Sequence, residues 1–391
     1  MIAGRALRGF VDGSVAVLLP AYLLALGHDS LAVGVLGTAT LLGSALATLA
    51  VGTWGHRAAP RTLLLAAALL MAATGAGFAG FSTFAPLLVV AFLGTLNPGA
   101  GDVSVFLPLE HARLAGLAPT STERTALFAR YSLAGSLSAA FGALAVGVPA
   151  WLAPRAGWAM IDALRAMFVL YTGIGLVIWL LYRRLPLAAA GGAHSTPPAP
   201  LGPSRGVVIK LAALFSVDSF AGGLVLNSLV SLWLMQRFGL TLTAAGAFFF
   251  WAGLLSAASQ LVAPWLARRI GLLNTMVFTH IPANLCLIAA ALAPTLPLAL
   301  GLLLVRALLS QMDVPTRTAY VMSVVTPPER AAAASFTTVP RSLAAAASPA
   351  LAGALFAAGW LAAPLLLCGV LKIGYDLTLW RACRGHPLQG D

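Results

Sequence analysis

LPLALGLLLVRALLSQMDVPTRTAYVMSVV, residues 296–325, begins as a run suited to lipid and then carries Arg306, Asp313 and Arg317, with a proline at 315. A membrane-spanning helix needs about 20 mostly apolar residues, and this run is long enough. An ionisable residue at the bilayer centre costs about 2.5–3.5 kcal/mol on insertion scales, so it has to face a cavity or a partner. At about 100° of turn per residue, positions 306, 313 and 317 fall within a narrow arc of one helix face. Pro315 removes the hydrogen bond its N–H would give to the Gln311 carbonyl, loosening the helix beside Asp313. The stretch reads as one wall of an internal path.

The rest of the chain is built the same way. Of 391 residues, 60% are hydrophobic and 9% charged, and mean hydropathy is +0.93; a soluble domain carries about 25% charged residues. Spans are expected near 7–27, 31–54, 61–81, 84–110, 125–150, 159–182, 207–236, 241–267, 272–293, 296–325, 331–358 and 360–380. The first run holds Asp12 and lacks a small-residue cleavage site, so it reads as an uncleaved span. LPLAAAGGAHSTPPAPLGPSR (185–205) is rich in Pro, Gly, Ala and Ser and reads as a flexible linker. The expected domains are a six-helix bundle over 1–184, a cytoplasmic linker over 185–206, and a second six-helix bundle over 207–391.

The net charge of +12 invites a nucleic-acid reading, which the placement of the charges removes. With the N-terminus inside, fifteen Arg and Lys residues, from Arg5 and Arg8 to Arg381 and Arg384, fall in cytoplasmic loops and ends. Arg155, Arg165 and Arg237 are the three outside. This is the positive-inside bias of a membrane protein. Both termini are expected in the cytoplasm.

The two halves also echo each other. GFVDGSVAVLLPAYLLALG (9–27) matches FSVDSFAGGLVLNSLVSLWLMQRFG (215–239), pairing Asp12 with Asp218. GDVSVFLPLEHARL (101–114) matches MDVPTRTAYVMSVV (312–325), pairing Asp102 with Asp313, and Glu123 pairs with Glu329. Internal repeats of this kind mark secondary transporters, whose sites lie near interrupted helices at matched places in the halves. NPGAGD (97–102) and the Pro315 turn are such interruptions.

Twelve spans in a 6+6 repeat resemble the major facilitator superfamily over essentially the whole chain. GTWGHRAAPR (52–61) is similar to that family's G-x-x-x-D-R-x-G-R-R loop: Gly52, Arg57 and Arg61 match, while His56 replaces the aspartate and Ala59 a glycine. VRALLSQ (305–311) is similar to the arginine-bearing pattern of proton-coupled members, and SPALAG (348–353) to the Gly/Pro pattern of antiporters. Both sit in the pseudo-symmetric helices ten and eleven. The resemblance implies an all-α membrane fold of two six-helix bundles, alternating access, and helices four and ten lining the path.

Candidate proton-coupling or gating acids are Asp12, Asp102, Glu110, Asp218 and Asp313. Candidate substrate or charge-pair residues are Arg130, Arg306, Arg317, Arg341, Asn97, Asn227, Gln311 and Tyr320. Lys372, with Asp376 one turn on, is a further intramembrane base. Two readings stand together: salt bridges that only close an inner gate, or acids that exchange protons while arginines tune them or bind an anionic group.

Other chemistry finds no footing. There is no GxxxxGK[ST] run for direct ATP use. His28, His56, His111, His194, His280 and His386 form no metal pair, and Cys286, Cys368 and Cys383 have no ligand or disulfide spacing. His280 reads as a buried hydrogen-bonded residue. No enzyme activity, cofactor or metal is expected. The expectation is a monomeric, multi-pass protein of a bacterial inner membrane that exports a small organic compound in exchange for protons. Uptake or exchange of an anionic metabolite is the alternative, and a non-transporting sensor or scaffold is the reading from another class.

Overall fold

The computed structural model describes residues 1–99, 105–115, 121–185, 202–326 and 329–384. The helices are α1 (Ile2–Ala25), α2 (Ser30–Trp54), α3 (Pro60–Gly80), α4 (Phe84–Leu93), α5 (Phe106–Ala115), α6 (Ser121–Ala145), α7 (Val148–Ala156) and α8 (Met160–Arg183). They continue with α9 (Arg205–Gly223), α10 (Asn227–Phe238), α11 (Leu242–Ile270), α12 (Leu272–Ala291), α13 (Leu296–Ser310), α14 (Asp313–Val324), α15 (Arg330–Ala357) and α16 (Ala363–Cys383). No strand occurs among the described residues.

These sixteen helices make twelve passes, because four passes come in two pieces: α4 with α5, α6 with α7, α9 with α10, and α13 with α14. Among the described residues nine helical runs are long and apolar enough to cross a membrane, with Phe84–Leu93 and Leu296–Ser310 as shorter apolar helices. The expected all-α, twelve-pass fold is therefore present. The linker residues 186–201 lie outside the described residues.

The two-piece passes alter the helix-ten expectation. The chain does not kink around Pro315; it breaks at Gln311 and Met312, and α14 restarts at Asp313. Pro315 is the third residue of the new helix, inside the first turn, where a missing N–H has no intrahelical partner to lose. In pass four the helix ends at Leu93 and residues 94–99 continue without helix, an interruption that takes in Asn97, Pro98 and Gly99; the rest of NPGAGD, from Ala100 to Asp102, lies outside the described residues. The ends are specified locally. Asp29 caps α2, its side chain accepting from the Ala32 N–H at 2.9 Å, and Gly239 closes α10 in the left-handed region at φ 64°, which favours glycine.

The chain packs as two compact units. Unit 1 holds Met1–Gly191, Leu226–Gly253 and Pro349–Gly359; unit 2 holds Gly192–Val225, Leu254–Ser348 and Trp360–Asp391. In unit 1, α1 lies along α6, and α3 along α8. Lipid supplies no hydrophobic drive between helices, so close approach and interhelical hydrogen bonds hold them. Gly9 and Gly13 of α1 face the backbone carbonyls of Gly135 and Ala139 on α6, and Gly142 faces that of Phe10. A Cβ at any of the three would collide with backbone. Ser14 Oγ donates to the Gly142 carbonyl at 2.7 Å.

Unit 2 repeats this contact with the serine moved to the other helix. Ser348 Oγ on α15 donates to the Phe220 carbonyl on α9 at 2.6 Å, beside Gly223. Positions 14 and 220, and 142 and 348, are each 206 residues apart. The repeat thus keeps the helix contact and exchanges which side supplies the hydroxyl.

Candidate functional site

Each unit buries one cluster of charges. In unit 2 its charges come from α9, α14 and α16, which the apolar pattern brings together: α9 packs on α16, and α12 packs on both α14 and α16. Asp218 on α9 accepts from Lys372 Nζ of α16 at 2.6 Å on one carboxylate oxygen, and from Arg317 Nη2 of α14 at 2.8 Å on the other. Arg317 also pairs with Asp313, four residues earlier on its own helix. All four side chains are buried. The Arg317 guanidinium lies 5.2 Å from the centroid of the Phe215 ring, and Arg341 of α15 lies 6.0 Å from the same centroid. Arg341 Nε donates to Ser219 Oγ at 3.2 Å.

Burying ions is costly unless their partners and hydrogen bonds are complete. Asp218 therefore acts as the keystone: its two oxygens satisfy two cations from two other helices. Any event that neutralises or withdraws it leaves Lys372 without that partner. One turn further along α16, His280 Nδ1 of α12 lies 3.0 Å from both oxygens of Asp376. The expected buried, hydrogen-bonded His280 has this carboxylate as its partner.

The unit 1 cluster is assembled differently. Glu110 on α5 is fully buried and pairs with Arg8 of α1; Arg8 Nη1 donates to its other oxygen at 3.0 Å. The Tyr131 and Tyr182 hydroxyls, from α6 and α8, also donate to the Glu110 carboxylate. Arg8 Nη1 donates to the Tyr182 oxygen at 2.6 Å and its guanidinium stacks 4.2 Å from the Phe106 centroid. Four helices thus close on one carboxylate, tying the short helix α5, beyond the break in pass four, to its neighbours.

Several candidates from the sequence meet here and others do not. Asp218, Asp313 and Arg317 join, with Arg341 beside them, and Glu110 anchors the other cluster. Arg306 does not join: the break at 311–312 cancels the shared face that a continuous helix would give it, and it sits near Cys286 and Cys368. Arg130 is exposed. Asp12 is buried in α1 within electrostatic reach of Tyr171, whose hydroxyl donates to the Thr95 carbonyl at 3.2 Å. Asn97 is buried at the break of pass four. Its side-chain oxygen accepts from the Gly99 N–H at 3.3 Å. The neighbouring Pro98 carbonyl accepts from the Ser228 N–H at 3.1 Å, at the start of α10 beside the half-buried Asn227. Gln311 is half-buried at the other break. Tyr320 packs in an apolar cluster with Val208, Leu211 and Tyr375. Asp102 lies outside the described residues.

The loop 52–61 forms a short 3-10 turn, Gly55–Arg57, before Pro60 opens α3. Arg61 donates to the Arg183 carbonyl at the end of α8, while Gly52 and Arg57 are exposed. The His56 side chain lies outside what is described.

Sequence reasoning placed Arg8 among the cytoplasmic topology charges and did not single out Tyr182. Arg8 stands four residues before Asp12 in an otherwise apolar segment, one turn away on the same face, and that spacing was the available signal. Nothing in the sequence around Tyr182 distinguishes it from an interfacial tyrosine.

The chain has relatives. The yeast protein "Uncharacterized membrane protein YJR124C" of Saccharomyces cerevisiae is 24% identical over 411 residues, covering 95% of this chain and 91% of that one. The inward-open xylose transporter XylE from E. coli superposes with a TM-score of 0.74 at 16% identity, covering 97% of this chain and 95% of its own. The nucleoside transporter NupG gives 0.73 at 15% identity, with 99% and 98% covered. A bacterial homolog of the human lysosomal transporter Spinster, inward-facing and occupied, gives 0.73 at 16% identity, with 98% and 96% covered. At such identities the likeness is one of fold. Residues 1–312 match the Major Facilitator Superfamily, and with four-fifths of its length so matched the chain belongs to that family.

Proposed function

We propose that this protein is a secondary active transporter that exports a small organic compound in exchange for protons, with Asp218 as the proton site. Family membership makes it a transporter and not an enzyme. The observation that carries the reading is the buried Asp218 carboxylate held between Lys372 and Arg317. Protonating Asp218 removes its charge and breaks two ion pairs that join three helices. One proton thereby changes which helix packing is electrostatically complete, the requirement for coupling a proton to a conformational switch.

The six-helix halves, 1–184 and 207–391 joined by 185–206, are the bodies we propose to move. Packing within unit 1 supports an alternating-access cycle. Ser231 Oγ of α10 donates to the Val17 carbonyl at 3.2 Å, and Gln236 Nε2 to Ser30 Oγ at 2.6 Å. Gly34 of α2 meets Gly353 and Pro349 of the SPALAG segment at backbone contact. These small residues let the outer ends of passes two and eleven meet closely, which supports the antiport and export reading. The Arg-rich loops support a topology with both termini in the cytoplasm, and we propose a monomer in a bacterial inner membrane.

The test is proton flux. Protein reconstituted in liposomes with a lumenal pH dye and an imposed pH gradient is offered a panel of organic cations, neutral amphiphiles and carboxylates. At least one compound should change the rate of gradient collapse, and Asp218→Asn should abolish that change while exchange of labelled compound survives. Retention of full coupling by Asp218→Asn would refute the assignment. A second reading, transport of an anionic metabolite, is favoured by the two guanidiniums of Arg317 and Arg341 over one Phe215 ring. Under it, carboxylates are the active compounds and Arg341→Ala raises the concentration they require.

A further inference from the structure

Two buried carboxylates of unit 2 have a claim on one lysine. Lys372 and Asp376 are four residues apart on α16, one above the other on the same face, and both are buried. Lys372 Nζ now donates to Asp218 at 2.6 Å. Asp376 faces away, to His280 Nδ1 on α12 at 3.0 Å. The Tyr375 ring stands edge-on to the imidazole, centroids 6.4 Å apart, and Asn284 Nδ2 donates to the His280 backbone carbonyl one turn back at 2.9 Å. Two buried pairs, Asp218 with Lys372 and His280 with Asp376, thus meet on one face of α16, bringing together α9, α16 and α12.

Tyr375, Lys372 and Cys368 are the neighbours on α16, Asp218 on α9, Asp313 and Arg317 on α14, Arg341 on α15, and Arg306 is the charge on α13. Asp313 is matched by Arg317. If Asp218 becomes neutral, the buried Lys372 ammonium loses its counter-ion, a state that low-dielectric surroundings penalise heavily. Arg317 keeps Asp313. Asp376 is the carboxylate on the lysine's own helix face, within the swing of a four-carbon stem.

We propose that Lys372 is a transferable counter-ion that links Asp218 to a second proton-binding pair, His280 and Asp376. In one state Asp218 is ionised and bound to Lys372, and an imidazolium at His280 balances Asp376. In the other, Asp218 carries a proton, Lys372 has turned to Asp376, and His280 has given its proton up. The four groups sum to zero charge and the same number of protons in both states, so the switch never strands an ion in the apolar interior. The step at Asp218 rests on the function proposed above; the sharing of Lys372 does not.

Thermal unfolding of the purified full chain tests it without a substrate. Asp218→Asn and Asp376→Asn each leave Lys372 one carboxylate, so each lowers Tm by a few degrees. The double variant leaves it none, and its loss should exceed the sum of the two by several degrees, a coupling that independent sites do not show. Adding Lys372→Met to the double variant should recover most of the loss. If the double variant does not accumulate as folded protein while the triple variant does, the result is the same. Additive losses, or a triple variant no better than the double, overturn the proposal. A role confined to packing would not alter pH dependence, so the plot of Tm against pH is the second readout. His280→Gln and Asp376→Asn should remove the same step from that plot, and wild-type profiles in both variants overturn the proton-binding role of the pair. A coupled stability cycle together with no pH-driven flux would sink the transport reading alone. Flux lost in Asp218→Asn with additive stabilities would sink this inference alone.

Discussion

Replacing Glu110 by leucine is the sharpest test of how unit 1 is held together. The carboxylate is fully buried, and its partner Arg8 has a side chain 4% exposed. Glu110→Leu removes one member of a buried pair and leaves a guanidinium in an apolar setting with tyrosine oxygens as its remaining partners. Breaking a buried ion pair in this way costs about 3–5 kcal/mol. At about 2 °C per kcal/mol for a large chain, Tm should fall by about 6–10 °C in detergent, followed by intrinsic tryptophan fluorescence. Arg8→Met alone should cost a similar amount, because it strands the carboxylate. The double variant Arg8→Met/Glu110→Leu removes both charges and leaves the Tyr131 and Tyr182 hydroxyls without their acceptor. Each lost hydrogen bond is worth about 1 kcal/mol, so the double variant should sit about 4 °C below wild type, well above either single. Two results refute the reasoning: a Glu110→Leu loss no larger than that of a surface substitution, about 0.5 kcal/mol, or a double variant as unstable as the singles.

Three further outcomes follow from particular contacts. Gly142→Ala places a methyl against the Phe10 carbonyl and should lower stability by about 1–3 kcal/mol through overpacking; a neutral melt would mean that α1 and α6 separate readily. Arg130→Ala, on an exposed side chain, should change Tm by less than about 1 °C, and a loss matching that of Arg8→Met would place it in a buried network. At the start of unit 2's first helix, hydrogen bonds from Ser204 and from the Gly202 amide hold the Glu329 carboxyl below the usual glutamate range. A depressed value contributes stability above the ordinary pKa of about 4.3 and loses it as pH falls through the lower folded value. Wild type should therefore lose more Tm on acidification than Glu329→Gln, which starts lower at neutral pH; superimposable acid profiles would refute the linkage.

Much of the fold was legible because lipid imposes simple rules. Twelve apolar runs, short loops and the arginine asymmetry follow from the cost of placing charge and unsatisfied backbone in hydrocarbon. The repeat was legible as well, and the exchange of serine between positions 14 and 348 shows how faithfully it holds. Less could be read at the site. Asp218, Asp313 and Arg317 were identifiable as charges in apolar runs, and periodicity placed the last two on one face. Periodicity also put Arg306 there, and the break at Gln311 undid it, since a helix that restarts at Asp313 has no fixed rotation relative to the one before.

The sequence by itself determined which side chains must find partners, because an ion in a membrane-spanning run has no water to turn to. The tertiary structure decided who the partners are. Arg8 and Lys372 lie more than one hundred residues from the carboxylates they meet, and no local pattern states which helix will lie alongside or how it is rotated. That choice is made by backbone approach. Where Gly9, Gly13 and Gly142 let α1 press onto α6, Arg8 is carried to Glu110. Where α9 packs on α16, Lys372 is brought to Asp218, and where α12 packs on the same helix, Asp376 is brought to His280, so a charge that looked like one more intramembrane lysine has a fixed partner on another helix.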